Sequence, residues 1–572
     1  MLKKWIIKEK FSDEFQSEFT EINEVVLQLL YNRGLKNQDD IDQFLGPDYL
    51  KDQHDPFLFS QMERAVKRIF EAIQKNEKIT IYGDYDADGV TATSLLYKAL
   101  VRVGEKKLDI YIPDRMKEGY GINSNAVKYI ASNNTHLIIT VDCGISNKEE
   151  IKLAGELGMD VIITDHHQPP SELPESYAII CPTLENEKYP FRNLAGVGVA
   201  FKLAQALLRR NISKNNEAFE KWLLDFLTIG TVADCMPLLG ENRTLVKWGI
   251  LVLNKTQRLG LRELIQSASI SKSIDTRAIG FQIAPRLNAA GRMGHANTAF
   301  ELLVTEDEAE SLAIAIDLNQ KNQNRQKTTD EMMKISLEQI GKPAADDKIL
   351  FSCYGGWSSG LVGLVAGKLT DKFSRPVIVF GKTGDKYTAS GRSIPEFNIT
   401  QALHECQDYL EEFGGHSQAC GLTVISLDNY NKFVEKMRKI ASEKLAGVVL
   451  APHIDIEAEI KLSQADWQLV DELNKFEPFG EANQRPIFLS KNLEVVDIAT
   501  MGVTNKHLRL LLKDENQYFR DSGSRKFVGF NIADEWMNKI KIGRKIDVVY
   551  EIGVNEWNGN REIEFKIIDL KE

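Results

Sequence analysis

No stretch of this 572-residue chain is apolar for long enough to cross a bilayer, and runs such as Ile250-Leu251-Val252-Leu253 are only strand-sized. Membrane insertion is therefore not expected. Cysteine is scarce: Cys143, Cys181, Cys235, Cys353, Cys406 and Cys420 are scattered, with no Cys-x-x-Cys pair. That pattern excludes a zinc knuckle and a disulfide framework, and fits a reducing cytosol. The first residues, Met1-Leu2-Lys3-Lys4-Trp5-Ile6-Ile7, open like a signal peptide, but Lys8 and Glu9 end the apolar run too early. A cytoplasmic location is expected. Positive charge is not in excess either: 71 Lys and Arg against 82 Asp and Glu leave a net charge of −11. The chain is thus no generally basic protein, although a local basic track beside a carboxylate-rich site stays open. Internal repeats and low-complexity segments are absent, and no long tail follows the last predicted strand.

What is present is an ordinary globular balance, 43% hydrophobic and 27% charged, in a chain too long for one core. Residues 1–50 read as a helical segment. From there to 261, short apolar runs at 78–82, 108–112, 136–141, 161–164 and 177–181 alternate with helical stretches at 90–102, 123–132 and 148–157. Such alternation predicts a parallel α/β sheet. Residues 262–340 turn helical, and 306–333, free of Gly and Pro, predicts one long helix joining two lobes. A smaller α/β domain follows at 341–452, with strands at 349–353, 377–380 and 387–390. The last part, 453–572, carries five predicted strands, at 493–499, 507–512, 526–531, 545–552 and 562–568, enough for a small closed barrel.

Chemistry concentrates at three predicted strand ends. Ile79-Thr-Ile-Tyr-Gly-Asp-Tyr-Asp-Ala-Asp-Gly-Val90 runs a buried strand into Asp84, Asp86 and Asp88, after which Gly89 opens a helix. Carboxylates two residues apart repel one another, and a hard divalent cation holds them together. A calcium loop is the competing reading, but its closing glutamate would fall at Leu95. A second strand delivers Asp142 and a third delivers Asp165, His166 and His167. In an open parallel sheet the carboxyl ends of the strands share one rim, where ligands bind. Asp234, after the apolar stretch 222–233, is a further candidate, with a helix cap as the bland alternative. Carboxylates with an imidazole could hold two cations on either side of a phosphoryl group, Mn²⁺ being favoured over Mg²⁺ by the imidazole.

These motifs resemble the DHH phosphoesterase superfamily. GDYDADG, VDCG, TDHH and VADCMPL are similar to its successive motifs, and Phe413–Gly421 resembles the GGHxxAxG signature of the companion DHHA1 domain. Ala284–Met293 and Glu477-Pro-Phe-Gly480 are similar to segments of the RecJ-type nucleases, and the match covers nearly the whole chain in order. The resemblance implies two Mn²⁺ or Mg²⁺ ions on Asp84, Asp86, Asp88, Asp142, His166 and Asp234, with His167 beside them or facing substrate. It implies 5′→3′ digestion of single-stranded DNA to mononucleotides, and a 5′-phosphate pocket at Arg115 and the turn Ser390-Gly-Arg392. Arg286, Asn288, Arg292, Gly415 and His416 are further substrate-binding candidates, the last two for close backbone approach to DNA. It also implies a monomer working with a RecQ-type helicase and the single-strand-binding protein.

Two positions depart from the family pattern: Tyr82 stands where many relatives have histidine, and Ser358 follows Trp357 where His or Asn is expected. The C-terminal barrel resembles an oligonucleotide-binding (OB) fold. Lys506, Arg509, Arg525, Lys526, Arg544 and Lys545 are its candidate phosphate contacts, and Tyr518, Phe519, Phe527 and Trp557 its candidate base stackers. Three rival readings stay in view. A phosphoesterase of short oligonucleotides or cyclic dinucleotides would lack the strut and barrel. An inactive repair scaffold would have eroded metal motifs. A pyrophosphatase would have no use for the barrel.

Overall fold

The computed structural model describes residues 3–211, 215–514, 523–557 and 559–572. The chain forms two compact units: one of Gln53–Met236 with Leu245–Ala451, the other of Met1–Asp52, Pro237–Thr244 and Pro452–Glu572.

The larger unit is built on a five-stranded parallel sheet in the order Leu108–Tyr111, Lys78–Gly83, Thr135–Val141, Asp160–Thr164, Ala178–Ile180. Continuous runs such as Leu137-Ile-Ile and Val161-Ile-Ile suit strands buried on both faces. On one face Ile138, Val161, Ile163 and Ile179 meet the helices Ser124–Ser132 and Lys148–Glu156. The other face is covered by Met62–Lys75, Ala87–Val103 and Gly196–Arg210. Because the first strand in sequence lies between the second and third, the chain reverses its winding between Lys78–Gly83 and Thr135–Val141. That reversal opens a crevice at the carboxyl ends of those two strands.

The predicted long helix forms as Glu308–Ile340, 33 residues and about 50 Å in length. Asp307 caps its start by accepting from the Glu310 amide, and Gly341, at φ +61°, ends it. It runs seven residues beyond the expected end because Met332 and Leu337 pack with the helix Ser359–Phe373, and nothing stops the helix before Gly341. Its other half lies against Leu259–Ser267 and Ala284–Met293.

The second sheet of this unit has the order Glu412–His416, Ala419–Ile425, Lys386–Arg392, Val377–Thr383, Leu350–Gly355, antiparallel except for the last pair. One correction arises here: Ser390-Gly-Arg392 is not a turn but the end of a strand. The hairpin 412–425, for which the sequence reading named no element, adds two strands that carry Gly414, Gly415 and Gly421.

In the smaller unit, the strands Ile487–Met501, His507–Lys513, Arg525–Gly529, Lys545–Trp557 and Asn560–Lys571 close on themselves. The first pairs with the second and fourth, and the fifth lies between the third, to which it is parallel, and the fourth. Alternating Leu508, Leu510 and Leu512 point inward with Phe488, Tyr550 and Phe565. Residues 1–50 are not purely helical, as expected, but begin with the strand Lys4–Ile7, paired in parallel with His453–Ile456. Their helices bury Leu27, Leu30 and Phe44 in the same core as the barrel. Arg243, 1% exposed, donates to the backbone carbonyls of Phe44, Lys475, Phe476, Glu477 and Pro478. The Glu477-Pro-Phe-Gly480 segment is thus the cradle of a buried guanidinium.

Candidate metal centre

Each acidic motif is delivered by an element that ends at the crevice. Asp84 follows the strand Lys78–Gly83 and is buried. Asp86 is the N-cap of the helix Ala87–Val103: its Oδ1 accepts from the amides of Asp88, 2.9 Å, and Gly89, 3.1 Å. The helix therefore opens at Ala87 rather than at Gly89, and Asp88 sits in its first turn. Both oxygens of Asp88 accept amides at the start of the helix Gly196–Arg210, Gly196 at 2.7 Å and Val197 at 2.9 Å. Asp142 ends the third strand at φ +61°, and Asp234 ends the helix Leu224–Ala233.

Three overlapping sets have ligand atoms within 4.8 Å of one another: Asp84, Asp86 and Asp142; Asp88, His166 and Asp234; Asp142, His166 and His167. The first two sets are joined through Asp142 and His166 of the third, the donor arrangement that a pair of divalent ions needs. The fit is tested by atoms left without partners. Asp84 Oδ1 and Asp142 Oδ1 are buried and accept no hydrogen bond. His166 Nε2 stands 3.1 Å from Asp142 Oδ1 and 3.7 Å from Asp234 Oδ2. With Asp142 Oδ1 unbonded, the closer contact is one of convergence rather than a hydrogen bond. Burial, reinforced by the neighbouring carboxylates, pushes Asp84, Asp88 and Asp142 well above the usual range, and burial with Asp86 pushes Asp234 up to about 7. Burial, with His167 beside it, holds His166 down to about 4, the neutral form that ligates metals. Oxygen donors with one imidazole suit Mn²⁺ or Mg²⁺.

Several contributors escaped the sequence reading. Asp165 does not join the cluster; its Oδ1 accepts the amides of His166 and His167 and lies 2.7 Å from His167 Nδ1, while Oδ2 accepts from Ile145. Burial alone would raise Asp165, but the hydrogen bond and charge of His167 outweigh it, and the carboxyl is lowered. Burial would likewise lower His167, yet Asp165 leaves it raised. Tyr120 OH meets His167 Nδ1 at 3.0 Å and donates to the Asp142 carbonyl. Gly196 and Gly230 give the carboxylates room. A Cβ at Gly196 would stand 2.5 Å from Asp142 Oδ1, and one at Gly230 would stand 2.6 Å from Asp88 Oδ1. A lone glycine in a helix carries no sign of this in sequence. Tyr82 is not in the cluster; its hydroxyl donates to the Gly121 carbonyl within the core.

The anion-binding candidates divide. Arg115 lies over the Tyr85 ring, 4.7 Å away. Arg286 donates to Asn319 Oδ1 and the Gln282 carbonyl, and Arg292 to the Gly360 carbonyl. Arg392 donates to Ser390 Oγ and the Gly391 carbonyl. Asn288 instead accepts from the Ala87 amide, 2.8 Å, which ties the helix Ala284–Met293 to the start of the metal-bearing helix. Ser358 caps the helix Ser359–Phe373. Gly415, at φ +143°, lies where a Cβ would meet the Ala419 carbonyl at 2.2 Å, and His416 is exposed beside it. Neither hydrogen-bonds to the metal cluster.

In the barrel, Phe527 is fully buried against Tyr550 and Phe565, so it fills the core and cannot stack on bases. Arg509 is paired with Asp497 and Lys526 with Glu562; Lys506, Arg525, Lys526, Arg544 and Lys545 are all exposed. Tyr518, Phe519 and the side chain of Trp557 lie outside the described residues.

Three families match the chain: the DHH family, N-terminal domain, over residues 78–231, the DHHA1 domain over 346–443, and the RecJ OB domain over 456–569. The chain is 39% identical to the single-stranded-DNA-specific exonuclease RecJ of Bacillus subtilis, over 99% of this chain and 70% of that protein. It is 30% identical to the enzyme of the same name from Escherichia coli, over 89% of this chain and 90% of the relative. Among solved structures, Thermus thermophilus RecJ in complex with Mn²⁺ superposes with a TM-score of 0.82 at 25% identity, over 100% of this chain and 79% of the other. An exonuclease RecJ bound to manganese superposes with a TM-score of 0.60 at 31% identity, over 68% and 98%.

Proposed function

Since the chain belongs to the RecJ family of single-stranded-DNA-specific exonucleases, we propose that it removes 5′-mononucleotides from single-stranded DNA, 5′→3′, in recombination and repair. The observation that carries this reading is the three overlapping ligand sets at the sheet crevice, with two buried carboxylate oxygens left unbonded. Two Mn²⁺ or Mg²⁺ ions bound there would supply Lewis-acid charge at the attacked phosphodiester. The chain's own part is to hold that charge in place. Asp84, Asp86, Asp88, Asp142, His166 and Asp234 present the donor atoms, and Asp165 and Tyr120 pin the His167 ring. Arg115, Ser390 and Arg392 form the 5′-phosphate pocket, where a planar guanidinium can grip phosphate through two donors. Arg286 and Arg292 contact the strand, with Gly415 and His416 on the second sheet available to its backbone.

On this reading the chain divides at about residues 50, 261, 340 and 452. A cytoplasmic location, a monomeric state, and cooperation with a RecQ-type helicase and the single-strand-binding protein belong to the same proposal. The free state of all six cysteines supports the location. No helix among the described residues is long and apolar enough to cross a membrane.

The test is digestion of a 5′-phosphorylated single strand labelled at either end, with Mn²⁺, Mg²⁺ or EDTA, beside Asp142→Ala. Metal-dependent mononucleotide release from the 5′ end, absent on duplex and in the variant, is expected. Turnover of dinucleotides without cleavage of long strands would replace this reading with a small-substrate phosphoesterase.

A further inference from the structure

In a chain of net charge −11, a set of arginines that no carboxylate pairs calls for an anion. Arg115, Arg286, Arg292, Arg325 and Arg392 form no ion pair among the described residues, and the hydrogen bonds and ring contact of their side chains are to neutral groups. Four of the five are already placed at the substrate. Arg325, on the long helix Glu308–Ile340, is not. Its Nε and Nη2 both donate to Asn322 Oδ1, at 3.1 and 2.9 Å, and Asn322 itself is 1% exposed. One turn earlier on the same helix, Asn319 holds Arg286 in the same way, at 3.0 Å. Asn319, Asn322 and Arg325 are spaced by three, so they lie along one side of the helix. Two guanidiniums are thus fixed about one helical turn apart, each by an amide that orients without neutralising. Thr328, on the next turn, borders a cavity of about 680 Å³ together with Arg292, Lys117 and Trp357. Arg325 lies close enough to Arg292 and to Arg286 to lower the proton affinity of both, burial being the larger cause in each. An arginine buried for packing alone would meet carboxylates or have its charge covered. Arg325 stays half-buried, and the carboxylate whose charge reaches it, Asp330, is already in an ion pair with Lys368.

We propose that Arg325, oriented by Asn322, binds a backbone phosphate of the substrate strand that is neither the scissile nor the 5′-terminal one. The long helix is then a wall of the strand path as well as a connector. This inference rests on the single-strand reading above.

Its test is fluorescence anisotropy of a labelled oligothymidylate in EDTA, across a salt series, for wild type, Arg325→Gln, Arg325→Lys and Asn322→Ala. Arg325→Gln is expected to bind about tenfold more weakly and to flatten the plot of log affinity against log salt by roughly 0.7, the share of one phosphate on a single strand. Arg325→Lys keeps the slope. Asn322→Ala weakens binding with the slope unchanged. In digestion, Arg325→Gln raises KM and leaves kcat near the wild-type value. Unchanged affinity and slope in a folded Arg325→Gln would overturn the proposal, as would a loss confined to 5′-phosphorylated strands. If Arg325→Gln does not fold, a flattened slope in Arg325→Lys overturns it instead. A wild-type protein that binds no single strand would sink the functional reading itself, a different result from a wild type that binds and a variant that matches it.

Discussion

At Gly196 the absence of a side chain is what lets Asp142 reach the crevice, since a methyl group there would stand 2.5 Å from its Oδ1. Gly196→Ala must therefore move either the carboxylate or the helix Gly196–Arg210, whose first amides hold Asp88. Overpacking of this kind costs about 1–3 kcal/mol. We expect a lower melting temperature together with weaker Mn²⁺ binding by calorimetry; wild-type values for both would show that the helix yields without consequence. The opposite trade holds at Asp142 itself. Its carboxylate is buried among Asp84, Asp86, Asp88 and Asp234, which costs the metal-free fold stability. Asp142→Asn relieves that repulsion, so the metal-free variant should melt no lower than wild type while losing the Mn²⁺-induced rise in Tm. Asp165→Asn leaves every proposed ligand in place but removes the partner of His167. Changes to groups that orient a metal site cost about 10–100-fold in affinity or activity, so kcat should fall within that range with the fold intact, as circular dichroism would report.

Among elements, the smaller unit depends on a contact that no single element owns. Arg243 gathers carbonyls from the N-terminal helix Gln38–Leu45 and from the loop after the helix Trp467–Lys475. Burial, with Arg33 nearby, lowers its proton affinity to about 9 against the opposing charge of Glu477, and its direct contacts are backbone carbonyls and the Phe44 ring. Arg243→Met would leave those carbonyls buried without donors, at a cost of about 3–5 kcal/mol. Urea unfolding should show that loss, and a change under 1 kcal/mol would mean that the loop re-closes over the methionine. This contact also marks where sequence stops being legible. Strand ends at Asp84, Asp142 and His166 could be placed because apolar runs ending in carboxylates and imidazoles carry a local period. The barrel strands could be placed for the same reason. Pairing of Lys4–Ile7 with His453–Ile456 could not, because partners some 450 residues apart leave no local pattern. The hairpin 412–425 was hidden by its glycines. Asp165 was visible as a carboxylate, but its role was not, since whether an oxygen faces a cation or a backbone amide is settled by tertiary packing.

For the whole molecule, the balance of −11 conceals two different distributions of charge. In the barrel unit, Arg509, Lys513, Lys526 and Lys566 are each within ion-pair distance of a carboxylate, and pairs so exposed add little attraction for a polyanion. In the larger unit the five arginines placed at the proposed strand path, Arg115, Arg286, Arg292, Arg325 and Arg392, form no ion pair among the described residues. Affinity for single-stranded DNA should then be set by those five, whatever the net charge. Each phosphate neutralised on a single strand contributes about −0.7 to the slope of log affinity against log salt, which gives a slope of roughly −3.5 if all five engage. A filter-binding or anisotropy series between low and moderate salt measures this directly. A slope near −1 would mean that most of the arginines serve packing. A slope much steeper than roughly −3.5 would mean that barrel cations also bind DNA, either the exposed Lys506, Arg525 and Arg544 or paired ones that leave their carboxylates, and in the second case charge reversal at Lys526 and Arg509 would flatten it. With the arginine set as the main grip, the same reversals should leave the slope unchanged, while Arg292→Gln and Arg325→Gln together should remove about 1.4 of it.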